Sequence, residues 1–298
     1  MICATVLVEK AKDLERALRA PVRCVEARLD PYREDVGALS KLLEEIAASK
    51  TLIVTARSAA EGGLFKGSEE ERLGLYLKAL DAGPHYVDVE ASSGIAEEVV
   101  KAKGGAKAIL SKHNFGGTPD VEVLKDWARG AFSRGADVVK IATMARAWED
   151  NFKVLSLIGA FEKPVVAFAM GSLGLMSRIF APLMGAPFTY AALDAPAAPG
   201  QLSYGAMEAI YSSLGVYSNL TSLRDMRIAL DAIDSALMHL LKLRLEVCRD
   251  IGRLKKSLGL SVYDDSREAE VLKRAGDFKQ LFDLIVQMCK AVQIVVPT

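Results

Sequence analysis

Up to about Ser213 the sequence alternates short β-branched apolar runs with stretches of helical periodicity, such as 34–48, 69–81 and 119–133. Strands that alternate with helices in one chain direction are typical of a parallel sheet covered by helices. Eight such units predict a (β/α)8 barrel of the TIM type. An open doubly wound sheet is less favoured, because no Gly-rich dinucleotide turn follows the first strand. The predicted strands are 2–8, 22–29, 51–57, 86–90, 107–113, 137–142, 164–170 and 188–193.

Strand periodicity stops at the short, turn-prone segment 215–221, which predicts a boundary between domains 1–218 and 219–298. Ser222 resembles a helix N-cap, and Asp225 supplies an acidic first turn. Apolar residues then recur at helical spacing to about Lys256, and two shorter helices are predicted at 266–275 and 278–295. One long and two short helices form a thin all-α domain that cannot easily bury its apolar stripe alone. We therefore expect this domain to dimerise.

The composition excludes some partners. Lys plus Arg equals Asp plus Glu at 38 each, so no net field favours nucleic acid or an anionic membrane. The most apolar stretch, 179–193, contains two prolines and is too short to span a bilayer. The four cysteines lie at no metal-ligand or redox-motif spacing, so we expect free buried thiols in a reducing cytoplasm. They are Cys3, Cys24, Cys248 and Cys289.

A lysine lies within the sixth predicted strand, where an apolar run should be buried. Lys140 is flanked by Val138, Val139, Ile141 and Ala142. A buried ammonium is costly to desolvate unless it is paired or loses its proton. A lysine brought toward neutrality is a nucleophile for carbonyl groups, as Schiff-base catalysis requires. The alternative is a lysine at a strand end whose ammonium reaches water.

Polar residues collect at the carboxyl ends of the predicted strands, where a (β/α)8 barrel has its active site. Of the three histidines, His85 lies at a strand start and His239 in mid-helix. Only His113 is placed beside Lys140, so we expect it to act as general acid and base. The other polar residues at these ends are Glu26, Arg28, Arg57, Asp88, Glu90 and Arg178.

Six ordered blocks of the first domain resemble the type I 3-dehydroquinate dehydratases. They are EARLD at 26–30, TARSAAEGG at 55–63, SKHNF at 111–115 with TP at 118–119, the Lys140 strand, MG at 170–171 with SR at 177–178, and APGQ at 198–201. Each block is weak alone, but six in order make a specific match. One position departs from the family, which commonly has a hydroxyl side chain where this chain has Ala197. The resemblance implies dehydration of 3-dehydroquinate without a cofactor or a metal.

The resemblance also implies residue roles. Lys140 attacks the C3 ketone and forms an imine, which withdraws electrons as a proton leaves C2. His113 removes that proton and later protonates the departing C1 hydroxyl, while Glu61 orients the imidazole. Arg178, assisted by Gln201, holds the substrate carboxylate. The residues expected to bind the ring hydroxyls are Glu26, Arg28 and Arg57.

A class I aldolase is the rival interpretation of the barrel, because it also forms an imine on a barrel lysine. The pair Arg178 and Gln201 suits a carboxylate better than a sugar phosphate. In addition, no phosphate-binding glycine loop follows the seventh and eighth strands; the 170–172 segment is too slight a signal. The dehydratase interpretation is therefore favoured.

The second domain resembles the all-helical chorismate mutases along nearly its full length. Helix geometry supports a site independently, because Arg244 and Lys255 lie about three turns apart and share a face. Cys289 and Gln293 share a face of the last helix in the same way. Cys289 stands where many relatives have serine. The positions that match the family are Arg227, Arg244, Lys255, Asp264, Arg267, Glu268 and Gln293.

Chorismate rearranges to prephenate without a nucleophile or proton transfer. A protein assists by holding the reactive conformer and stabilising charge on the ether oxygen. The resemblance implies that Arg227 and Arg244 clamp the two carboxylates, while Lys255 and Gln293 donate to the ether oxygen. The other residues of this site are Glu268, which would accept from the ring hydroxyl, and Asp264, Arg267 and Cys289 around it.

The distance between two of these residues predicts a homodimer. Arg227 lies roughly 42 Å from Lys255 along a straight helix, too far for one small substrate to touch both. The two meet in one site only if Arg227 comes from a second chain. Two alternatives stay open: a charged helix face with ordinary solvated arginines, and a dimerisation module that senses chorismate or prephenate without converting it.

Overall fold

The structure, a computed structural model, describes residues 1–214 and 223–294. It divides into two compact units, Met1–Glu208 and Ala209–Thr298, which are described separately. The predicted linker 215–221, the predicted N-cap Ser222 and the predicted boundary at 218–219 lie outside the described residues. The boundary therefore stays a prediction.

The first unit contains an eight-stranded parallel sheet in the order β7-β6-β5-β4-β3-β2-β1-β8. Strand β1 pairs with both β2 and β8, so the sheet curls into a near-closed barrel and the predicted fold is confirmed. The rings of Phe168 on β7 and Tyr190 on β8 pack with centroids 6.1 Å apart. The strands are β1 (Ile2–Leu7), β2 (Cys24–Arg28), β3 (Thr51–Thr55), β4 (Tyr86–Glu90), β5 (Lys107–Asn114), β6 (Val138–Met144), β7 (Val165–Met170) and β8 (Thr189–Ala192).

Helices alternate with these strands, and local capping explains where some begin. Ser68 accepts from the backbone of Glu71, whose carboxylate accepts from the Ser68 backbone, so a capping box starts α3. The predicted helix 34–48 is instead a 3₁₀ turn, Val36–Leu39, followed by α2. The helices are α1 (Ala11–Arg19), α2 (Ser40–Ser49), α3 (Glu69–Leu80), α4 (Ala96–Ala102), α5 (Val121–Ser133), α6 (Asp150–Leu155), α7 (Leu175–Phe180) and α8 (Tyr204–Ser213).

The strand residues form layers inside the barrel. Because side chains alternate between the two faces of a strand, Ile109, Ser111 and His113 all project from one face of β5. Ile109 belongs to a small apolar cluster made by the strands and their immediate neighbours, together with Val138 and Phe188. Polar side chains occupy the following positions of the same faces. The apolar layer thus forms a floor beneath the polar mouth.

After the last residues of α8, the second unit contains α9 (Leu223–Ser257), α10 (Asp265–Arg274) and α11 (Lys279–Ile294). The prediction of one long and two shorter helices is confirmed. Asp264 begins α10 as its N-cap, because its side chain accepts from the backbone N–H of Arg267 at 3.0 Å. None of the helices in the described ranges is both long enough and apolar enough to cross a membrane.

The expectation of free thiols is wrong. Cys3 forms a disulfide with Cys24, and Cys248 forms one with Cys289. The register of β1 and β2 sets Cys3 beside Cys24, with their Cα atoms 4.5 Å apart. The partners are separated by 21 and 41 residues in the chain, so only the folded register and helix packing bring them together.

Candidate active sites

Lys140 lies on β6 and is only 4% exposed. Its Nζ donates to Asp88 Oδ2 at 2.9 Å and to Glu26 Oε1 at 3.3 Å, and it lies 3.9 Å from the ring centroid of Tyr190. Two carboxylates and an aromatic face offset the cost of burying an ammonium. The lysine is buried as predicted, and the alternative of an ammonium that reaches water is wrong.

Asp88 is the centre of a buried ionic network. Its Oδ1 accepts from the Arg57 guanidinium and from the Ser111 hydroxyl, both at 2.6 Å. Burial acts to raise the pKa of Asp88, but the charges of Arg57 and Lys140 outweigh it and hold this pKa well below its usual range. Arg57 also donates to Ser111 and lies 3.4 Å from Glu90. Its guanidinium is committed to the network, and a contact with a substrate hydroxyl stays a prediction.

A second chain of contacts reaches Lys140 through Glu26. The hydroxyl of Thr5 donates to Glu26 Oε2 at 2.8 Å and accepts from Gln201 Nε2 at 3.1 Å. Gln201 Oε1 accepts from the backbone N–H of Ala197 at 2.7 Å, which orients its amide. Thr5 was not among the residues predicted from the sequence. Its signal was a hydroxyl on an inward position of an otherwise apolar strand.

His113 and Glu61 lie together, as expected from the resemblance. The carboxylate of Glu61 lies 2.9 Å from His113 Nδ1 and accepts from the His113 backbone N–H at 2.8 Å and from Ser92 at 2.9 Å. A carboxylate that accepts at Nδ1 fixes the proton there and leaves Nε2 as the base. Burial, followed by the positive charges of Arg57 and Lys140, lowers the pKa of His113 well below its usual value. The imidazole is therefore neutral near pH 7.

Arg178 is buried, and among the described residues no acidic side chain pairs with it. It is 1% exposed, its Nε has no hydrogen-bond partner in the described part of the chain, and an amino group donates to Pro199 O at 3.2 Å. The guanidinium lies 4.3 Å from the ring of Phe168, and burial lowers the pKa of Arg178 to about 10. Arg28, by contrast, forms a bidentate pair with Asp30 at 2.7 and 2.8 Å. An unpaired buried cation of this kind is suited to an anionic ligand.

The helical unit contains a cavity of about 320 Å³ between its three helices. Arg227, which is exposed on α9, does not line this cavity. The structure thus brings together all the predicted mutase residues except the one expected from a second chain. The predicted residues that line the cavity are Arg244, Lys255, Asp264, Arg267, Glu268, Cys289 and Gln293.

Two of the cations that line this cavity have no acidic partner among the described residues. Arg244 and Lys255 donate to backbone carbonyl oxygens at 3.4 and 3.1 Å, and neither forms a salt bridge within residues 1–214 and 223–294. Burial lowers the pKa of Arg244. Glu268 is paired with Lys290 at 2.7 Å. Lys290 also lines the cavity but was not predicted from the sequence, although it adjoins Cys289. Two unpaired cations on one wall suit a dicarboxylate.

A further two predicted residues have local partners. Asp264 caps α10, as described above, and this bond lowers the pKa of its carboxyl. The guanidinium of Arg267 pairs with Glu270 at 2.7 Å on the exposed side of the helix. Both residues line the cavity. A direct contact of either with a substrate stays a prediction.

Comparisons with known proteins support both predicted domains. Residues 2–218 match the family model described as type I 3-dehydroquinase, and residues 226–294 match the one described as chorismate mutase type II. The 3-dehydroquinate dehydratase of Pyrobaculum aerophilum is 52% identical over 295 residues, which cover 99% of this chain and 98% of that protein. The same-named protein of Pyrococcus abyssi is 41% identical over 72% of this chain and 99% of its own length.

Solved structures agree with the barrel. The crystal structure of 3-dehydroquinate dehydratase from Geobacillus kaustophilus superposes with a TM-score of 0.66 at 30% identity, over 73% of this chain and 92% of that chain. The type I enzyme of Clostridium difficile, solved with covalently modified comenic acid, gives a TM-score of 0.65 at 25% identity, over 72% of this chain and 91% of that chain. The chain therefore belongs to the type I 3-dehydroquinase family and carries a chorismate mutase type II domain at residues 226–294.

Proposed function

We propose that the protein is a bifunctional enzyme that dehydrates 3-dehydroquinate in its barrel and rearranges chorismate to prephenate in its helical domain. The observation that carries the first activity is a buried Lys140, held by two carboxylates, in a barrel mouth that also contains a neutral His113. The second activity is supported by the cavity lined by Arg244 and Lys255, neither of which has an acidic partner in the described part of the chain. The aldolase alternative is set aside by the family match.

Imine formation requires Lys140 to lose a proton before its amine attacks the C3 ketone. Asp88 is a poor acceptor because Arg57 keeps it ionised, so Glu26 is the contacting group placed to take the proton. Glu26 returns this proton to the carbinolamine hydroxyl, which leaves as water, and the resulting iminium carries a positive charge where the ammonium was. Asp88 and Glu26 then stabilise that iminium, which is the electron sink for the next step.

Proton removal at C2 falls to His113. Its Nε2 is the free ring nitrogen, because Nδ1 is bonded to Glu61. The imidazole takes the C2 proton, and the imidazolium returns it to the C1 hydroxyl, which leaves as water. Arg178 holds the substrate carboxylate throughout, and its planar fork and burial fix the ring orientation. Hydrolysis of the imine then releases the product and restores Lys140.

The lowered pKa of His113 predicts the pH profile. The base form is present above this pKa, so dehydratase kcat/KM should be flat near neutrality and fall about tenfold per pH unit on the acid side, with the midpoint below pH 6.5. Glu61→Gln removes the negative charge that stabilises the imidazolium, so the midpoint should move lower still and kcat fall roughly 10- to 100-fold. Glu97→Gln, an exposed change on α4, is the control. An acid midpoint above pH 6.5 would contradict this assignment.

Arg178→Lys should weaken substrate binding. A lysine keeps the charge but loses the bidentate grip on a carboxylate, so we expect kcat/KM for dehydration to fall on the order of 100-fold, mainly through KM. Steady-state kinetics would measure this, with Arg129→Lys on the exposed side of α5 as the matched control. An unchanged KM would mean that the carboxylate binds elsewhere.

A homodimer through the helical domain is part of the proposal. It is supported by large apolar side chains that are half exposed or more along α9, including Leu237 at 52%, Val247 at 57% and Leu254 at 60%. A contiguous apolar face on one helix is typical of a protein interface. It is also supported by Arg227, which is exposed and far along the helix from Lys255.

We propose a cytoplasmic location because the protein is an enzyme of small-molecule biosynthesis. The cysteines no longer support that location, because they form disulfides and are not free thiols.

Two spectrophotometric assays on one purified sample test the proposal. Dehydration of 3-dehydroquinate produces a conjugated enone, so ultraviolet absorbance should rise. Addition of chorismate should cause its absorbance to decay faster than the spontaneous rate. Decay at only the spontaneous rate, in a sample that still dehydrates dehydroquinate, would make the helical domain a sensing or dimerisation module. Failure of the first assay would overturn the barrel assignment.

A further inference from the structure

Two neighbouring contacts hold α9 against α11 beside the helical cavity. The first is the Cys248–Cys289 disulfide. One turn further along both helices, Gly252 is buried against Gln293. A Cβ added at Gly252 would lie 2.9 Å from Gln293 Cα and 3.0 Å from its carbonyl oxygen, so only glycine permits this approach. Both cysteines and Gln293 line the cavity, and the two contacts therefore form one wall of it.

The disulfide also contacts the side chain of Gln293. The amide Nε2 donates to Cys289 Sγ at 3.3 Å, whereas Oε1 is buried with no hydrogen-bond partner in the described residues. A disulfide sulfur carries no proton and can only accept, so the amide keeps one N–H on the sulfur and has a second N–H for a ligand. A free thiol donates as well as accepts. The thiol of reduced Cys289 would therefore donate to Gln293 Oε1, and the amide would rotate to accept that hydrogen bond.

We propose that the Cys248–Cys289 disulfide is a redox-sensitive positioning element of the mutase site, which orients the Gln293 amide toward the ligand. This inference rests on the proposed mutase function. In this domain the orientation of the Gln293 amide depends on whether Cys248 and Cys289 are oxidised or reduced.

A dithiol can open this disulfide by two exchange steps. Cys289 is partly exposed, whereas Cys248 is 4% exposed, so the attacking thiolate reaches Cys289 and forms a mixed disulfide. Cys248 leaves as a thiolate beside the Arg244 guanidinium, whose nearest nitrogen lies 3.9 Å from its sulfur and stabilises the charge. The second thiol of the reductant then releases Cys289. Two electrons and two protons pass to the cysteines, and the reductant becomes a disulfide.

The test compares mutase kinetics of the full-length protein before and after reduction by dithiothreitol, with thiol alkylation and mass spectrometry to count opened disulfides. We expect reduction to lower kcat/KM for chorismate about 10-fold, mainly in kcat, because the amide is misoriented in the transition state. A variant with Cys3→Ala and Cys24→Ala retains only the helical disulfide and should respond equally. The Cys248→Ser protein should have the kcat/KM of the reduced protein, and dithiothreitol should not change it. Equal kcat/KM before and after opening would overturn the proposal.

A double-mutant cycle separates positioning from simple stabilisation. If the disulfide acts through Gln293, reduction of the Gln293→Ala protein should change kcat/KM less than about twofold. A full reduction effect in that background would mean that the disulfide only stabilises the fold and would overturn the proposal. Gly252→Ala provides a second route, because it displaces Gln293 with the disulfide intact and should also lower kcat.

The outcome can be separated from a failure of the mutase assignment. If the oxidised protein does not convert chorismate, the proposed activity is wrong, and binding of a bicyclic ether dicarboxylate decides the role of the disulfide. Calorimetry should then show weaker binding after reduction, by about 10-fold, if the disulfide orients the amide. Unchanged affinity would overturn the positioning role in that case as well.

Discussion

Replacement of Lys140 by methionine is expected to lower dehydratase kcat by at least about 10⁴-fold, because no other side chain can supply the imine. Methionine fills similar volume but leaves the carboxylates of Asp88 and Glu26 without their shared cation. Removal of one partner from a buried ionic group costs about 3–5 kcal/mol, so thermal unfolding must be followed in parallel. Chorismate turnover by the same sample serves as the internal control for folding of the other domain.

Lys112→Met is the matched control for this prediction. Lys112 lies two positions before Asn114 on β5, and its ammonium packs 4.1 Å from the ring of Trp127. Its loss should leave dehydratase kcat within a few-fold of the unaltered protein. If both variants lose activity equally, the loss reflects damage to the barrel and does not identify the nucleophile.

A chemical trap identifies the imine directly. Borohydride added with 3-dehydroquinate should reduce the iminium to a stable secondary amine and inactivate the dehydratase. Peptide mass spectrometry should locate the added mass on Lys140, and the Lys140→Met protein should take up none. Full activity after borohydride and substrate, with no added mass, would eliminate the imine mechanism.

The barrel could be predicted from the sequence because each of its strands is a local signal. The β-branched run at Tyr86–Glu90 matches the observed strand, and other strand ends differ by only a few residues. The alternation of strand and helix then leaves few topologies. Lys140 and His113 followed from the same reasoning, because the carboxyl ends of all strands meet at one mouth.

The partners of those residues could not be predicted, because they depend on register and side-chain length across the barrel. Asp88 contacts Lys140 across 52 residues of chain, and Glu26 contacts it across 114. In the sequence, Asp88 is one of several polar residues at the predicted strand ends, and Thr5 is marked only by its hydroxyl group. The prediction of free thiols was wrong for the same reason, since only the packing of α9 on α11 brings Cys248 to Cys289. Local sequence patterns determine where helices and strands form, whereas contacts between distant parts of the chain determine the charge state of the site residues.

Arg244→Ala is expected to lower mutase kcat/KM on the order of 10³-fold while dehydration stays unchanged. The reaction depends on electrostatic and conformational help alone, so the loss of one partly buried cation that clamps a carboxylate removes a large share of catalysis. Arg253→Ala is the control: it lies on the same helix, and its pair with Asp250 is on the exposed surface. Similar losses in both variants would indicate a damaged helix.

Mixing two inactive proteins tests whether the mutase site is shared between chains. Arg227→Ala and Arg244→Ala each damage both sites of their own homodimers. If Arg227 reaches the site of the partner subunit, an exchanged heterodimer has one site with both arginines and one with neither. Random exchange makes half of the dimers mixed, so the sample should recover about a quarter of the unaltered activity. If both arginines serve a site in their own chain, every site lacks one of them and no activity returns, which would disprove the dimeric site while leaving the assignment of Arg244 intact.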